Sequence, residues 1–164
     1  MTLLVLVLCG WAALRPPATS TALSRTGAPV AAPERAESEA LELLRDWDSQ
    51  RAEAWAAGDV VRLRSLYVPG SRSAEADVEM LRRYVARGLV VEGLSTQVLS
   101  LSLLRDPFPG TVRVEVTDRV SGGRAVTRDG AAQALPVDEA STRVVTLRRM
   151  DGTWLVAEVR DVTG

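Results

Sequence analysis

The sequence predicts an α+β fold, with helices first and an antiparallel sheet after them. Three observations carry this expectation. Apolar residues recur at helical spacing between residues 34 and 87. After Gly88 the hydrophobic period changes to two. Asp151-Gly152 then joins two alternating segments, which is a strong short-range hairpin signal. Helices followed by a run of strands place the helices on one face of the sheet.

The chain opens with an apolar run, LLVLVLCGWAAL, at residues 3–14. It is short for a membrane span, which takes about 20 residues, and it suits the apolar segment of a secretory signal. Ser20-Thr21-Ala22 offers a small-x-small cleavage site. Residues 1–22 therefore read as a signal peptide or, uncleaved, as a short N-terminal anchor. Cys9 reads as a small hydrophobe within that segment. Residues 23–34 contain Pro29 and Pro33 among Ala, Thr and Arg, and read as a linker. Residues 35–164 are then one globular domain. Its expected location is extracytoplasmic, either secreted or tethered to the membrane by the N-terminal segment.

Within the domain, residues 34–57 are rich in Ala, Leu, Glu and Arg and predict a long helix that Gly58 stops. Asp59 is a natural cap for a short helix reaching Tyr67. Pro69-Gly70-Ser71 is a turn, and residues 73–87 predict a third helix. Strands are expected at residues 98–105, with Leu99, Leu101 and Leu103 on one face, and at 111–120, with Val112, Val114 and Val116 on one face. Further strands are expected at 142–150 and 153–162. Asp106-Pro107-Phe108-Pro109-Gly110 turns the chain between the first two. Residues 121–140 read as a long loop or a lid, with residues 124–127 able to extend a strand.

Composition removes whole classes of chemistry. All 20 basic side chains are Arg, His is absent, and Cys occurs once. Without His, no Ser-His, Cys-His or His-metal arrangement is available. One Cys supports no disulfide framework or thiolate cluster. A formal net charge of -1 offers no basic excess for a phosphate backbone, so no nucleic-acid partner is expected. No Gly-rich phosphate loop, nucleophile elbow or metal-ligand spacing occurs, and neither a metal nor a cofactor is expected. The Arg-only basic set, with Lys, Ile and Asn also missing, is the mark of a GC-rich coding bias.

Three helices followed by an antiparallel sheet ending in Arg149-Met150-Asp151-Gly152-Thr153-Trp154-Leu155-Val156 resemble the NTF2-like superfamily, including its SnoaL-like members. The resemblance covers roughly residues 36–162. It implies a cone, in which three N-terminal helices pack on a curved antiparallel sheet and leave a pocket at the open end. Enzymes of that family are often isomerases, cyclases or dehydratases, and many other members only bind or assemble. The segment WDSQRAEAWAAGD is also similar to uncharacterised secreted or membrane-linked actinobacterial proteins.

Some residues break the amphipathic pattern. On the first helix Leu44, Trp47, Ala54 and Trp55 share one arc, and Arg51 projects into its middle, with Asp48 at the edge. A buried guanidinium is costly unless paired. Asp118 follows Val112, Val114 and Val116 in the same register, points inward, and is the expected partner of Arg51. Three readings stay open for the Arg51–Asp118 pair. It is a structural ion pair with Trp47 or Trp55 stacked on the guanidinium; it lines a ligand pocket in which Arg51 binds an anion; or Asp118 is a general base. Tyr67 and Tyr84 are either pocket hydroxyls or packing aromatics. Trp154 reads as core or rim packing on a face shared with Glu158 and Arg160. Asp77 with Glu79, and Asp138 with Glu139, read as solvated charges. The expected function is a non-catalytic binding or assembly module. The alternative is a SnoaL-type isomerase, cyclase or dehydratase with Asp118 as acid/base, assisted by Tyr67 or Tyr84. Expected partners are a second copy of the chain through the sheet face, a membrane-associated protein, and a small apolar ligand.

Overall fold

The computed structural model describes residues 32–105 and 108–162. The leader, its cleavage site, Cys9, the linker up to residue 31 and the Asp106-Pro107 part of the turn lie outside the described residues. The described elements run α1 (Ala32–Ala57), α2 (Val60–Ser65), α3 (Arg72–Ala86), β1 (Leu89–Leu104), β2 (Thr111–Thr127), β3 (Ala132–Ala134), β4 (Ser141–Met150) and β5 (Thr153–Asp161). The expected α+β class is the observed one. Among the described residues no helix is long and apolar enough to cross a membrane.

The helices begin and end where local chemistry dictates. α1 starts at Ala32, so Pro33 sits in its first turn, where a missing N–H costs no hydrogen bond. The last linker residues are thus helical. Gly58 ends α1 at a φ of 64°, and a Cβ there would lie 3.2 Å from Val85 Cγ2. Asp59 caps α2, its carboxylate accepting from the amides of Val61 (3.0 Å) and Arg62 (2.9 Å). Ser71 caps α3 by accepting from Ala74 N.

The sheet is antiparallel, with strand order β1-β2-β4-β5 and β3 paired to β2. It departs from expectation in three ways. β1 begins at Leu89, well before residue 98, because residues 89–92 pair with the far end of β2. Residues 121–140 are not one long loop: β2 continues to Thr127 and folds back through β3, with Arg124 opposite Ala134. Bulges also reset the faces. Val98 pairs with Asp118 and Ser100 with Thr117, which leaves Leu99 as the extra residue. Leu99 is therefore 50% exposed, while Leu101 and Leu103 pack against the core. In β5, Leu147 pairs with Val156 and Thr146 with Glu158, so Ala157 is extra. Trp154 and Val156 thus share the inner face with Val159, and Glu158 and Arg160 are exposed on the other side.

The core lies between the inner sheet face and the helices. Val114, Val116, Leu147 and Val156 meet Ala54 and Trp55 of α1, Leu63 of α2, and Val78 and Leu81 of α3. The opposite face carries Arg113, Glu115, Thr117 and Arg119 from β2 beside Thr146 and Arg148 from β4. Backbone hydrogen bonds tie the helical layer to β5. Val68 N donates to Val156 O (2.9 Å) and Val156 N to Leu66 O (3.0 Å). Ser73 Oγ accepts from Val159 N at 2.9 Å.

Candidate functional site

Past the packed core, the helices and the sheet diverge around a cavity of about 360 Å³. Its apolar wall comes from Leu44 of α1 and from Val98, Val120, Val145 and Val159 of the strands. Its polar side chains fall into three groups.

The first is built on Asp77 of α3. Arg51 donates to it twice, from Nε to Oδ2 (2.7 Å) and from Nη2 to Oδ1 (2.8 Å). Trp55 Nε1 donates to Oδ1 (3.2 Å) and Tyr67 OH to Oδ2 (2.7 Å). The Arg51 guanidinium also lies between two indoles, 5.9 Å from the Trp47 ring centroid and 5.7 Å from that of Trp55. This is what spacing of i−4 and i+4 on one helix face allows. Burial alone would lower the Arg51 pKa, but the hydrogen bonds and charge of Asp77 outweigh it and raise the pKa. The Tyr67 phenol is pushed up by burial first and the Asp77 charge second, so it stays protonated as a donor.

The second group is Asp118 with Arg143 of β4. Arg143 Nη2 donates to Oδ1 at 2.5 Å and Nε to Oδ2 at 3.3 Å. Asp118 is 4% exposed. It points inward in register with Val114 and Val116, as expected. The expected Arg51–Asp118 pair, however, does not form. Each member has a different partner, because α3 brings Asp77 under Arg51 while β4 sets Arg143 beside Asp118.

The third group is Asp48. Its Oδ1 accepts from Thr96 Oγ1 of β1 at 3.1 Å. Burial raises its pKa, and the Asp118 charge adds to the rise; Thr96, Arg51 and Arg143 oppose it without cancelling it. Arg45 and Asp161, both exposed, line the cavity with opposite charges.

Asp48, Arg51, Trp47, Tyr67 and Asp118 line one cavity, in separate hydrogen-bonded groups. Trp55 stands behind it in the core. Tyr84 packs edge-on against Trp55, with centroids 5.4 Å apart, and does not line the cavity. Trp154 packs against the core and also does not line it. No residue of 121–140 lines it either, so that segment is not its lid. Asp77 is not a solvated charge, and the reason lies in α3: it falls between Ala74, Val78 and Leu81, which are all buried. Arg143 was legible in the same way, alternating with Val145 and Leu147.

No family model matches the chain, and no curated protein matches it. Solved structures do. The intermembrane space region of the chloroplast protein ARC6 superposes with a TM-score of 0.54 at 13% identity, covering 78% of this chain and 97% of that one. Aln2 from a Streptomyces species gives 0.49 at 15% identity, covering 75% and 90%. A chain named Rd1NTF2 gives 0.43 at 16% identity, covering 74% and 97%. At such identities the ARC6 likeness is one of fold alone: helices laid on one antiparallel sheet.

Proposed function

We propose that the chain is an extracytoplasmic NTF2-like binding module whose cavity receives one small, largely apolar molecule. The observation that carries this reading is the cavity itself. A space of about 360 Å³ with a valine wall and a few converging polar groups falls in the range of small-molecule sites, roughly 300–1,000 Å³. The apolar run at residues 3–14 and the Pro-containing segment after it support placing the domain outside the cytoplasm. Recovery of the intact chain from the cytosol on cell fractionation would refute that placement.

The alternative reading, with Asp118 as acid/base, loses its geometry. Both Asp118 oxygens are engaged by Arg143, the Tyr67 hydroxyl donates to Asp77, and Tyr84 lies away from the cavity. An assembly role through the sheet face would use the charged and threonine-rich outer surface.

The binding reading is tested with prodan, a neutral environment-sensitive fluorophore. Saturable emission enhancement is expected with the wild-type chain. Ala76 is an exposed residue lining the cavity. Ala76→Trp should weaken that binding by about tenfold or more, a loss of about 1.4 kcal/mol, with the melting temperature unchanged. Equal binding by the two proteins would place the dye elsewhere and remove the cavity from the argument.

A further inference from the structure

We propose that the cavity is a site for a small monoamine, whose ammonium group pairs with Asp48 and whose apolar body lies on the valine wall. This rests on the binding reading above and adds the chemical class of the ligand.

The charge arrangement carries it. The cavity is lined by three guanidiniums, Arg45, Arg51 and Arg143, and by four carboxylates, Asp48, Asp77, Asp118 and Asp161. One negative charge is therefore in excess. Two of the pairs are closed on themselves: Arg51 holds Asp77 and Arg143 holds Asp118, each through Nε and Nη2. Arg45 and Asp161 are exposed, and neither forms an ion pair among the described residues. Of the three inner carboxylates, the one left without a guanidinium is Asp48, whose hydrogen bond comes from a neutral hydroxyl, Thr96 Oγ1, and reaches Oδ1. Among the described residues, Asp48 Oδ2 accepts no hydrogen bond and no guanidinium stands within ion-pair distance of Asp48.

Ligand classes separate on this pattern. An anion would meet inner guanidiniums already chelated by carboxylates and would add to the excess negative charge. A neutral molecule would cover Asp48 without compensating it, at a desolvation cost. An ammonium supplies the missing countercharge and a donor for Oδ2, and its hydrogen bond to a carboxylate is of the stronger, charge-assisted kind. Val98, Val120, Val145 and Val159 then cover the apolar part. A cavity of this size takes a molecule of the order of ten heavy atoms with room to spare.

The test uses the full chain and three probes with a common phenyl body: 2-phenylethylamine, 2-phenylethanol and 3-phenylpropanoate. Affinities are read by calorimetry at neutral pH, with the fluorescence of the cavity-lining Trp47 as a second signal. The amine should bind at least about tenfold tighter than the alcohol, and the carboxylate weakest. In Asp48→Asn the amine should fall to the affinity of the alcohol, while the alcohol is unchanged. Glu158→Gln, which removes a negative charge from the exposed side of β5, should leave the amine preference intact. The wild-type comparison needs no variant to fold. Alcohol or carboxylate binding as tightly as the amine overturns the amine assignment and leaves the cavity reading standing. An amine preference that survives Asp48→Asn removes Asp48 from it. Failure of all three probes to bind while prodan still does overturns this proposal and leaves the binding reading standing; failure of prodan as well overturns both.

Discussion

A single carboxylate, Asp77, collects four donors from three residues: Arg51, Trp55 and Tyr67. Removing one member of a buried, hydrogen-bonded ion pair strands the other, at about 3–5 kcal/mol. Asp77→Asn should therefore lower stability by about 3 kcal/mol in urea denaturation. Asp118→Asn should cost less, about 1–2 kcal/mol, because its partner Arg143 is 30% exposed. A larger loss for Asp118 would reverse the ranking of the two pairs. Asp48 behaves in the opposite sense. Its folded pKa lies above its ordinary value, so its neutral form is favoured by folding and stability falls as pH rises through the folded pKa. Asp48→Asn, whose amide oxygen can still accept from Thr96, should raise the melting temperature at neutral pH. The gain should vanish below the ordinary carboxylate range; a constant gain across pH would contradict the burial effect. The inward Arg51 was legible because a wheel needs only local spacing. Its partner was not, since the choice between Asp77 and Asp118 depends on how α3 and β2 stand against α1. Pairing Asp77 with its sequence neighbour Glu79, and not with its own helix face, hides its burial.

Elements were legible where period and punctuation agree. Gly58, Asp59, Ser71, Gly88 and Asp151-Gly152 mark ends and turns by chemistry that acts within a few residues. Asp59→Ala should cost about 1 kcal/mol through the two amides it leaves unsatisfied, measurable in the same denaturation series. Strand faces were legible only up to the first bulge. One extra residue inverts every later assignment, and a bulge is set by pairing with the neighbouring strand, which no single strand's sequence contains. Leu99 and Leu103 therefore share a parity in sequence and differ in environment. Leu99→Thr should change stability by no more than about 0.5 kcal/mol, whereas Leu103→Thr should cost about 1–2 kcal/mol. Equal effects would show that the bulge is absent in solution.

At the scale of the whole molecule, the order of helices and strands was enough to set the class, because an apolar helix face and an apolar sheet face have to cover each other. The cavity was not legible, since it is the space left where the layers part. β2 is paired on both sides, by β1 and by β3 and β4, whereas β1 and β5 end the sheet. Hydrogen exchange should accordingly be slowest along β2 and faster at the outer amides of β5; the reverse order would contradict the strand order. The four-donor grip on Asp77 has a mechanical consequence. It locks α1, α3 and the chain after α2 into one plate. That plate hangs from β5 by the Val68–Val156, Val156–Leu66 and Val159–Ser73 hydrogen bonds, while across the cavity it meets β1 through side chains and the Asp48–Thr96 bond. The helical layer is thus held to β5 by two main-chain hydrogen bonds and one to the Ser73 hydroxyl, and to β1 by the packing of α1 and the Asp48–Thr96 bond.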